Sequence, residues 1–399
     1  MKVLMINSVC GIRSTGRICT DIATVLENQG HVVKIAYGRE VVPEQFQKYA
    51  ERIGSDFDVK IHGVFARIFD ASGFGSKRAT KKFIEWVEQY DPDVIHLHNL
   101  HGYYINLDVL FDYLHECGKR ILWTLHDCWA FTGHSAYCDA VGCERWKNIC
   151  NHCPNLKMYP ISYLDRSKNN WKRKKKLFTG IQDLMIITPS YWLANLVKKS
   201  FLSDYSVNVI HNGIDTSQFY SVKSDFREHF GIENKYILLG VSTSWDDMKG
   251  LSDFIHLAER LDDGFQIVLV GITAEQKRKL PSNILGIERT NNIEELTQIY
   301  SVADLFLNLS YCENYPTVNL EAIACGTPIL TYKTGGSVES AEKYEGIVVG
   351  RGNLDEAIKK IYKYREAHYN KPILDIKLDD IDMKTAARKY LEIIEKISF

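Results

Sequence analysis

The chain has 399 residues, 45% of them hydrophobic and 25% charged, a make-up that excludes disorder and is long enough for two cores of ordinary size. Its formal net charge of -1 is far from the balance of a nucleic-acid-binding domain, and no nucleic-acid module signature is present, so no nucleic-acid partner is expected. The opening MKVLMINSVCG holds one lysine and a short apolar run before Asn7, too little for a secretory leader, and no apolar run reaches the ~18 residues of a membrane span, so a cytoplasmic location is expected.

The first predicted strand is KVLMIN. It leads into GIRSTGRI, residues 11–18, a glycine-bearing loop that departs from GxGxxG and so lacks the dinucleotide fingerprint. Gly16 and Arg17 in this loop remain candidates for contact with a sugar or diphosphate. Ile18, Ile22, Val25 and Leu26 repeat at helical spacing over 17–29, and Gly30 is a stop signal. HVVKIAY and DVIHLH follow as strands, the latter ending in His96, His98, Asn99 and His101; RILWTLH ends in His126 and Asp127. A single strand-end histidine is ordinarily structural, but several polar groups at the carboxyl ends of parallel strands mark an edge where ligands bind.

Five of the ten cysteines fall in residues 128–153. Cys138, Cys143, Cys150 and Cys153 read either as four thiolates around a structural zinc, although the spacing is not a standard one, or as free thiols. RSKNNWKRKKK, residues 166–176, carries seven basic and no acidic side chains. It is the main reason that residues 1–200 hold 27 basic against 20 acidic side chains while residues 201–399 hold 22 against 30. It reads as a solvated helix face or as a helix drawn to an anionic membrane surface, with Trp171 and Phe178 seven apart on one side of it. The strand LMIITPS closes the first half.

Around residues 203–216 the pattern breaks, and after VNVIHNGID the strand–helix alternation starts afresh with YILLGVS, FQIVLVG, ADLFLNL, TPILTY and GIVV. Two α/β domains with parallel sheets follow, 1–205 and 206–382, facing each other across a cleft. The stretch 383–396 has no place in the alternation and is read as a separate C-terminal helix within 383–399. STSWDDMKGLSDF puts Lys249 and Gly250 at the first strand-to-helix turn of the second domain, where a lysine can reach a phosphate and a glycine allows close approach. CENYPTVNLEAIACGTPIL places Glu313 in a loop, Pro316 as the first helical residue, Glu321 one to two turns inside and Gly326 at the end. The amides of residues 315–318 suit a diphosphate, and a carboxylate on each flank suits the hydroxyls of the groups joined to it.

Glu313-x7-Glu321, Lys249-Gly250, VIHNGID and TLHDCWAFTGH together resemble the family 4 retaining glycosyltransferases of the GT-B fold, two Rossmann-like domains, and most closely the bacterial capsular and exopolysaccharide type. The resemblance runs over roughly residues 1–340. It implies that Glu313 holds donor-sugar hydroxyls, Glu321 the nucleotide ribose, and the amides of the helix start between them the diphosphate, with Asn314, Tyr315, Pro316 and Thr317 among the donor-binding residues. It further implies that Lys249 neutralises the leaving group, that His126 faces the donor sugar, and that the last helix returns to the first domain. The implied reaction uses a nucleotide diphosphate sugar donor, a glycan or lipid-linked oligosaccharide acceptor and no catalytic metal, at the inner membrane face. The sequence departs from the family at Met248 and Ser244, where an arginine is usual, leaving Arg17 as the candidate substitute, and at Ser135, where a cysteine is common. The rivals are a GT-B nucleotide-sugar epimerase and a zinc-stabilised interaction module. A GT-A enzyme is disfavoured because its Asp-x-Asp matches at Asp56, Asp91 and Asp380 are poorly placed.

Overall fold

The computed structural model describes residues 1–367 and 377–396. The chain forms two compact units, residues 1–211 together with the chain from Ala386 on, and residues 212–385.

The first unit runs β1 (Lys2–Ile6), α1 (Arg13–Asn28), β2 (Val32–Tyr37), β3 (Ala50–Arg52), α2 (Asp56–Phe69), α3 (Lys77–Tyr90), β4 (Val94–Leu97), α4 (Leu107–Glu116), β5 (Arg120–Thr124), α5 (Ser167–Phe178), β6 (Leu184–Thr188), α6 (Tyr191–Val197) and β7 (Ser206–Val209). Its seven strands are parallel in the order β3-β2-β1-β4-β5-β6-β7. β7 pairs with β6 through Met185 opposite Ser206, so this strand lies in the first unit although the sequence boundary was drawn before it. Near-continuous apolar strands such as KVLMI are what a sheet covered on both faces requires. On one face Cys19, Ile22 and Leu26 of α1 pack with Val3, Met5 and Ile35; on the other Phe111 and Phe178 pack with Ile95, Ile121 and Trp123. Burying each large side chain contributes about 1.5–3 kcal/mol relative to leaving it in water.

The second unit runs α7 (Phe226–Phe230), β8 (Tyr236–Val241), α8 (Leu251–Arg260), β9 (Phe265–Val270), α9 (Ala274–Lys277), β10 (Ile284–Ile287), α10 (Ile293–Val302), β11 (Leu305–Asn308), α11 (Thr317–Ala324), β12 (Ile329–Tyr332), α12 (Ser337–Lys343), β13 (Ile347–Val349) and α13 (Leu354–Ala367). Its six strands are parallel in the order β10-β9-β8-β11-β12-β13. The last helix, α14 (Met383–Lys396), places Ala387, Tyr390 and Ile394 in the core of the first unit, on the face that holds α1. Among the described residues no helix is long and apolar enough to cross a membrane.

Each sheet has one place where the strand order reverses, between β1 and β4 in the first unit and between β8 and β11 in the second. The crevice beyond the carboxyl ends of such strands is where open α/β sheets bind ligands.

Candidate active site

In the second unit the loop after β8 folds into a tight turn, Asp247–Lys249, which the Asp246 carboxylate closes by accepting from the Lys249 amide at 2.9 Å. Gly250 follows with φ +78°, and a Cβ there would lie 2.4 Å from the Leu309 carbonyl oxygen, so only glycine lets the loops after β8 and β11 come together. The Tyr311 amide then donates to the Met248 carbonyl at 2.8 Å and ties the two loops directly. These contacts bring Lys249 Nζ to 2.5 Å from Glu313 Oε1, joining two motifs 64 residues apart. Burial pulls the Lys249 ammonium down, but the Glu313 carboxylate outweighs it and holds its pKa above the ordinary lysine value, so the ammonium is charged at neutral pH.

Four residues on, α11 starts one position later than the proline signal placed it: Pro316 is the cap, extended at φ -71° and ψ 124°, and Thr317 is the first helical residue. Pro316 makes no side-chain cap at this start, which carries the positive end of the helix dipole. The helix ends as Gly326 predicted: at φ +74° its amide donates to the Ile323 carbonyl while the Thr327 amide donates to that of Ala322. Glu321 sits about 7 Å along the axis from Pro316 at 1.5 Å per residue. Its Oε2 accepts from the buried Tyr300 hydroxyl at 2.8 Å, and the Tyr300 carbonyl in turn accepts from Thr327 Oγ1 at 2.5 Å.

What fixes α11 in place is a buried polar network that the sequence did not reveal. Asn319 Oδ1 accepts from Asn308 Nδ2 at 2.9 Å, and its Nδ2 donates to Ser337 Oγ at 3.3 Å and Ser340 Oγ at 3.0 Å. β11, α11 and α12 are thereby locked together. Tyr315 contributes differently from what its motif suggests, because its ring is in the unit core and its carbonyl accepts from Asn212 Nδ2 at 3.0 Å. Asn314 and Thr317 are half-buried on either side.

The first unit assembles its own strand-end cluster. Asn7 accepts from the Asn99 amide at 3.2 Å and donates to the Val9 carbonyl at 2.8 Å, bridging the ends of β1 and β4. Gly16 lies in the first turn of α1, where its carbonyl accepts from the Gly11 amide at 3.1 Å; Arg17 is exposed on the same helix. His126, after β5, holds its Nε2 3.1 Å from His98 Nδ1, and the two rings stack. His96 packs on His98 and bonds Thr124 Oγ1 at 2.8 Å. Burial drives His126 down to about 4 and His96 to about 3, so these rings are neutral at pH 7. Asp127 accepts from the Trp129 amide at 2.8 Å and pairs with His101 Nε2 at 2.8 Å, and His101 Nδ1 bonds the Tyr159 hydroxyl at 3.0 Å. A single histidine of the four strand-end ones, His126, is thus half-buried among rings that support it.

Two expectations fail. Among the described residues no group of three or more His, Cys, Asp or Glu side chains is placed to hold a metal ion, so Cys138, Cys143, Cys150 and Cys153 do not form the expected zinc site. Cys138 lies in the apolar core, and burial pushes the Cys150 thiol up to about 12 and the Cys153 thiol to about 11, which keeps both protonated. The segment is held from α5 instead: Lys174 Nζ donates to the carbonyls of Trp129 at 2.7 Å and Thr132 at 3.2 Å, and Trp171 Nε1 donates to that of Trp146 at 2.9 Å. For the same reason α5 is not an interfacial helix. Trp171, Lys174, Leu177 and Phe178 all face the core, leaving only its hydrophilic side outward.

Comparison with known proteins supports the same reading of the fold. The family model described as Glycosyltransferase Family 4 matches residues 15–218, and that described as Glycosyl transferases group 1 matches residues 222–371. WcaC of Escherichia coli K12, described as a colanic acid biosynthesis glycosyl transferase, is 26% identical over 302 residues, covering 73% of this chain and 72% of WcaC. An N,N'-diacetylbacillosaminyl-diphospho-undecaprenol alpha-1,3-N-acetylgalactosaminyltransferase of Campylobacter jejuni is 26% identical over 42% of this chain and 47% of its own. Among solved structures, sucrose-phosphate synthase of Thermosynechococcus elongatus superposes with a TM-score of 0.73 at 15% identity over 99% of this chain and 98% of that one. Anabaena HepE in complex with UDP superposes at 0.69 and 15% identity, over 99% and 100%. With its first unit matched through more than half of the 399 residues and its two parallel sheets shared with these structures, the chain belongs to Glycosyltransferase Family 4 and has the GT-B fold.

Proposed function

We propose that the chain transfers a sugar, with retention at the anomeric carbon and without a catalytic metal, from a nucleotide diphosphate sugar to a hydroxyl of a lipid-linked glycan in surface polysaccharide biosynthesis. The observation that carries this proposal is the 2.5 Å Lys249–Glu313 pair beside the start of α11, with Glu321 braced by Tyr300 on the far side. A diphosphate seated on the first amides of α11 places one carboxylate beside the sugar and the other beside the ribose. Both carboxylates are hydrogen-bond acceptors and suit hydroxyls.

In the reaction the bond from the anomeric carbon to the phosphate oxygen breaks, the acceptor oxygen bonds that carbon on the same face, and the acceptor proton leaves with the nucleoside diphosphate. Charge develops on the leaving oxygen, where Lys249 and the helix amides stabilise it, the device that preorganised donors provide in other transfer reactions. His126, neutral, offers a hydrogen bond to the sugar without adding charge. The reading draws further support from relatives: HepE has been captured with UDP and with UDP-glucose, the WcaC name specifies colanic acid biosynthesis, and the Campylobacter enzyme's name specifies a diphospho-undecaprenol-linked acceptor. A lipid-linked acceptor places the protein, in this proposal, in the cytoplasm at the inner membrane face. Replacing Glu313 by alanine tests it. Transfer is expected to fall to background with the thermal midpoint kept, whereas near-normal turnover, or isomerisation of the donor sugar with no acceptor present, refutes it.

A further inference from the structure

Three histidine rings stand in line where β4 and β5 end, and the middle one is His98. Its main chain is held on both sides: the amide donates to the Ile6 carbonyl at 2.9 Å, and the carbonyl accepts from Trp123 Nε1 at 3.2 Å. The ring centre lies 4.1 Å from that of His96 and 5.4 Å from that of His126, and its plane is within 15° of the latter. His98 is 2% exposed. Its Nδ1 shares a hydrogen bond with His126 Nε2 at 3.1 Å, and its buried Nε2 has no hydrogen-bond partner.

Burial lowers all three rings, His126 despite the Asp127 carboxylate beside it, so each is neutral at pH 7. A neutral imidazole has one nitrogen that donates and one that accepts, so the contact between His98 and His126 holds a single proton and can be made in two ways. If His126 donates from Nε2, the proton of His98 must sit on its own Nε2, an N–H buried without an acceptor. If His98 donates from Nδ1, its Nε2 is instead a bare acceptor. Buried N–H groups without an acceptor are rarer in folded proteins than buried acceptors short of a donor, which selects the second arrangement. His96 follows the same rule. Its Nε2 meets Thr124 Oγ1 at 2.8 Å, and that hydroxyl donates its one proton to the Tyr390 oxygen at 3.5 Å, so His96 donates from Nε2 and its partnerless Nδ1 is again an acceptor.

We infer that His98 is a positioning residue for His126: its Nδ1–H donates to His126 Nε2 and thereby fixes the His126 proton on Nδ1. The tautomer of a histidine is set by the hydrogen bond that its other nitrogen makes. His126 Nδ1 is then a donor to any oxygen it meets. With one nitrogen protonated and the other engaged by His98, His126 cannot act as the base that takes a proton from an acceptor hydroxyl. In the proposed transfer it meets the donor sugar by donating to a hydroxyl oxygen; this last step rests on the transferase reading, whereas the tautomer does not.

The test is a long-range 1H–15N spectrum of the full chain, labelled at the histidine ring nitrogens, which tells protonated from bare nitrogens. His126 is identified by the signals lost in His126→Gln. Wild type and His98→Asn, whose side-chain amide keeps a donor near the place of Nδ1, are expected to carry the His126 proton on Nδ1, and His98→Leu, which has no donor, to show the Nε2–H form. UDP affinity, by calorimetry, is expected to stay unchanged in both variants. In His98→Leu kcat/KM for the nucleotide sugar is expected to fall about tenfold, and in His98→Asn to stay within about threefold of the wild type. The inference is overturned if wild-type His126 carries its proton on Nε2, a result that needs no variant to fold, or if His98→Leu leaves the proton on Nδ1. The expected spectra with an unchanged kcat/KM in His98→Leu uphold the tautomer and remove the sugar contact of His126 from the proposed function.

Discussion

Lys249→Met separates what the Lys249–Glu313 pair does for the fold from what it does for the reaction. In the resting protein the lysine side chain is 37% exposed, so water screens the pair and its loss costs about 1 kcal/mol of stability or less, a shift of a few degrees at most in the thermal midpoint. In the proposed transfer the same ammonium faces a developing negative charge. At ~4 Å and an effective dielectric of ~20 that attraction is about 4 kcal/mol, of which the part absent from the ground state acts on the rate. A fall of about 10²–10³-fold in kcat is expected, as for the loss of one preorganised donor. The assay is nucleoside diphosphate release at saturating donor, with the thermal midpoint recorded in parallel. Lys279→Met serves as the control, since Lys279 pairs with Glu275 in open solvent, 73% and 71% exposed. A kcat within threefold of the wild type at an unchanged midpoint refutes the placement of the leaving group beside Lys249.

Glu321→Gln is expected to weaken UDP binding about tenfold while leaving 2',3'-dideoxy-UDP almost unaffected, as read by calorimetry, because the carboxylate braced by Tyr300 is assigned to the ribose hydroxyls. Gly250→Ala forces a Cβ to 2.4 Å from the Leu309 carbonyl oxygen at φ +78°; a loss of about 1–3 kcal/mol in stability, by denaturant titration, should accompany reduced turnover. His62, His96 and His126 have folded pKa values lowered by burial to about 4, 3 and 4, below the ~6.5 of the unfolded chain. The unfolded state then binds the extra protons, so stability is complete above about pH 6.5 and is lost as pH falls toward 4, by up to about 1.4 kcal/mol per pH unit per ring, measurable as the denaturant midpoint against pH. Treatment with a chelator is expected to leave the thermal midpoint unchanged, since Lys174 and Trp171 tie down residues 129–146 and among the described residues no group of three or more ligating side chains is placed to hold a metal ion.

The alternation of apolar runs and helical periodicity made both parallel sheets legible, because a strand covered on two faces must be apolar throughout. The loop motifs were legible for a related reason. Gly250, Pro316 and Gly326 sit where backbone geometry allows few residues, so they mark their turns directly. Contacts made across the sequence left no such mark. Nothing in EELTQIYSVADL signals that Tyr300 will reach Glu321, and Asn319 in TVNLEAIA looks like an exposed helical polar residue until α12 closes over it. Composition misled in two places. Cysteines grouped within 26 residues suggested a metal, but a buried lysine had taken the structural role. Seven basic residues among eleven suggested a solvated helix face or a membrane helix, and the same stretch carries the aromatic residues that fill the core, while the apolar face left outside belongs to α2, where no charge run drew notice.

The two strand-order reversals solve opposite electrostatic problems. In the second unit the crevice keeps its charge: the dipole of α11 and the Lys249 ammonium, held charged by the neighbouring Glu313, meet where β8 and β11 end. In the first unit burial removes charge from His96 and His126 and leaves a stack of neutral rings beside the ionised Asp127, whose carboxylate His101 and the Trp129 amide hold below the usual range despite burial. The first environment suits a phosphate, and the second suits an uncharged hydroxyl, which neutral imidazoles can hydrogen-bond without adding charge. The cation missing at Met248 and Ser244 bears on the same division. Arg351 donates to the Tyr311 carbonyl at 3.5 Å, in the loop that leads to Glu313, and so belongs to the second unit, whereas Arg17 belongs to the first. Loss of kcat in Arg351→Met but not in Arg17→Met would assign the substitute clamp to the unit that holds the leaving group.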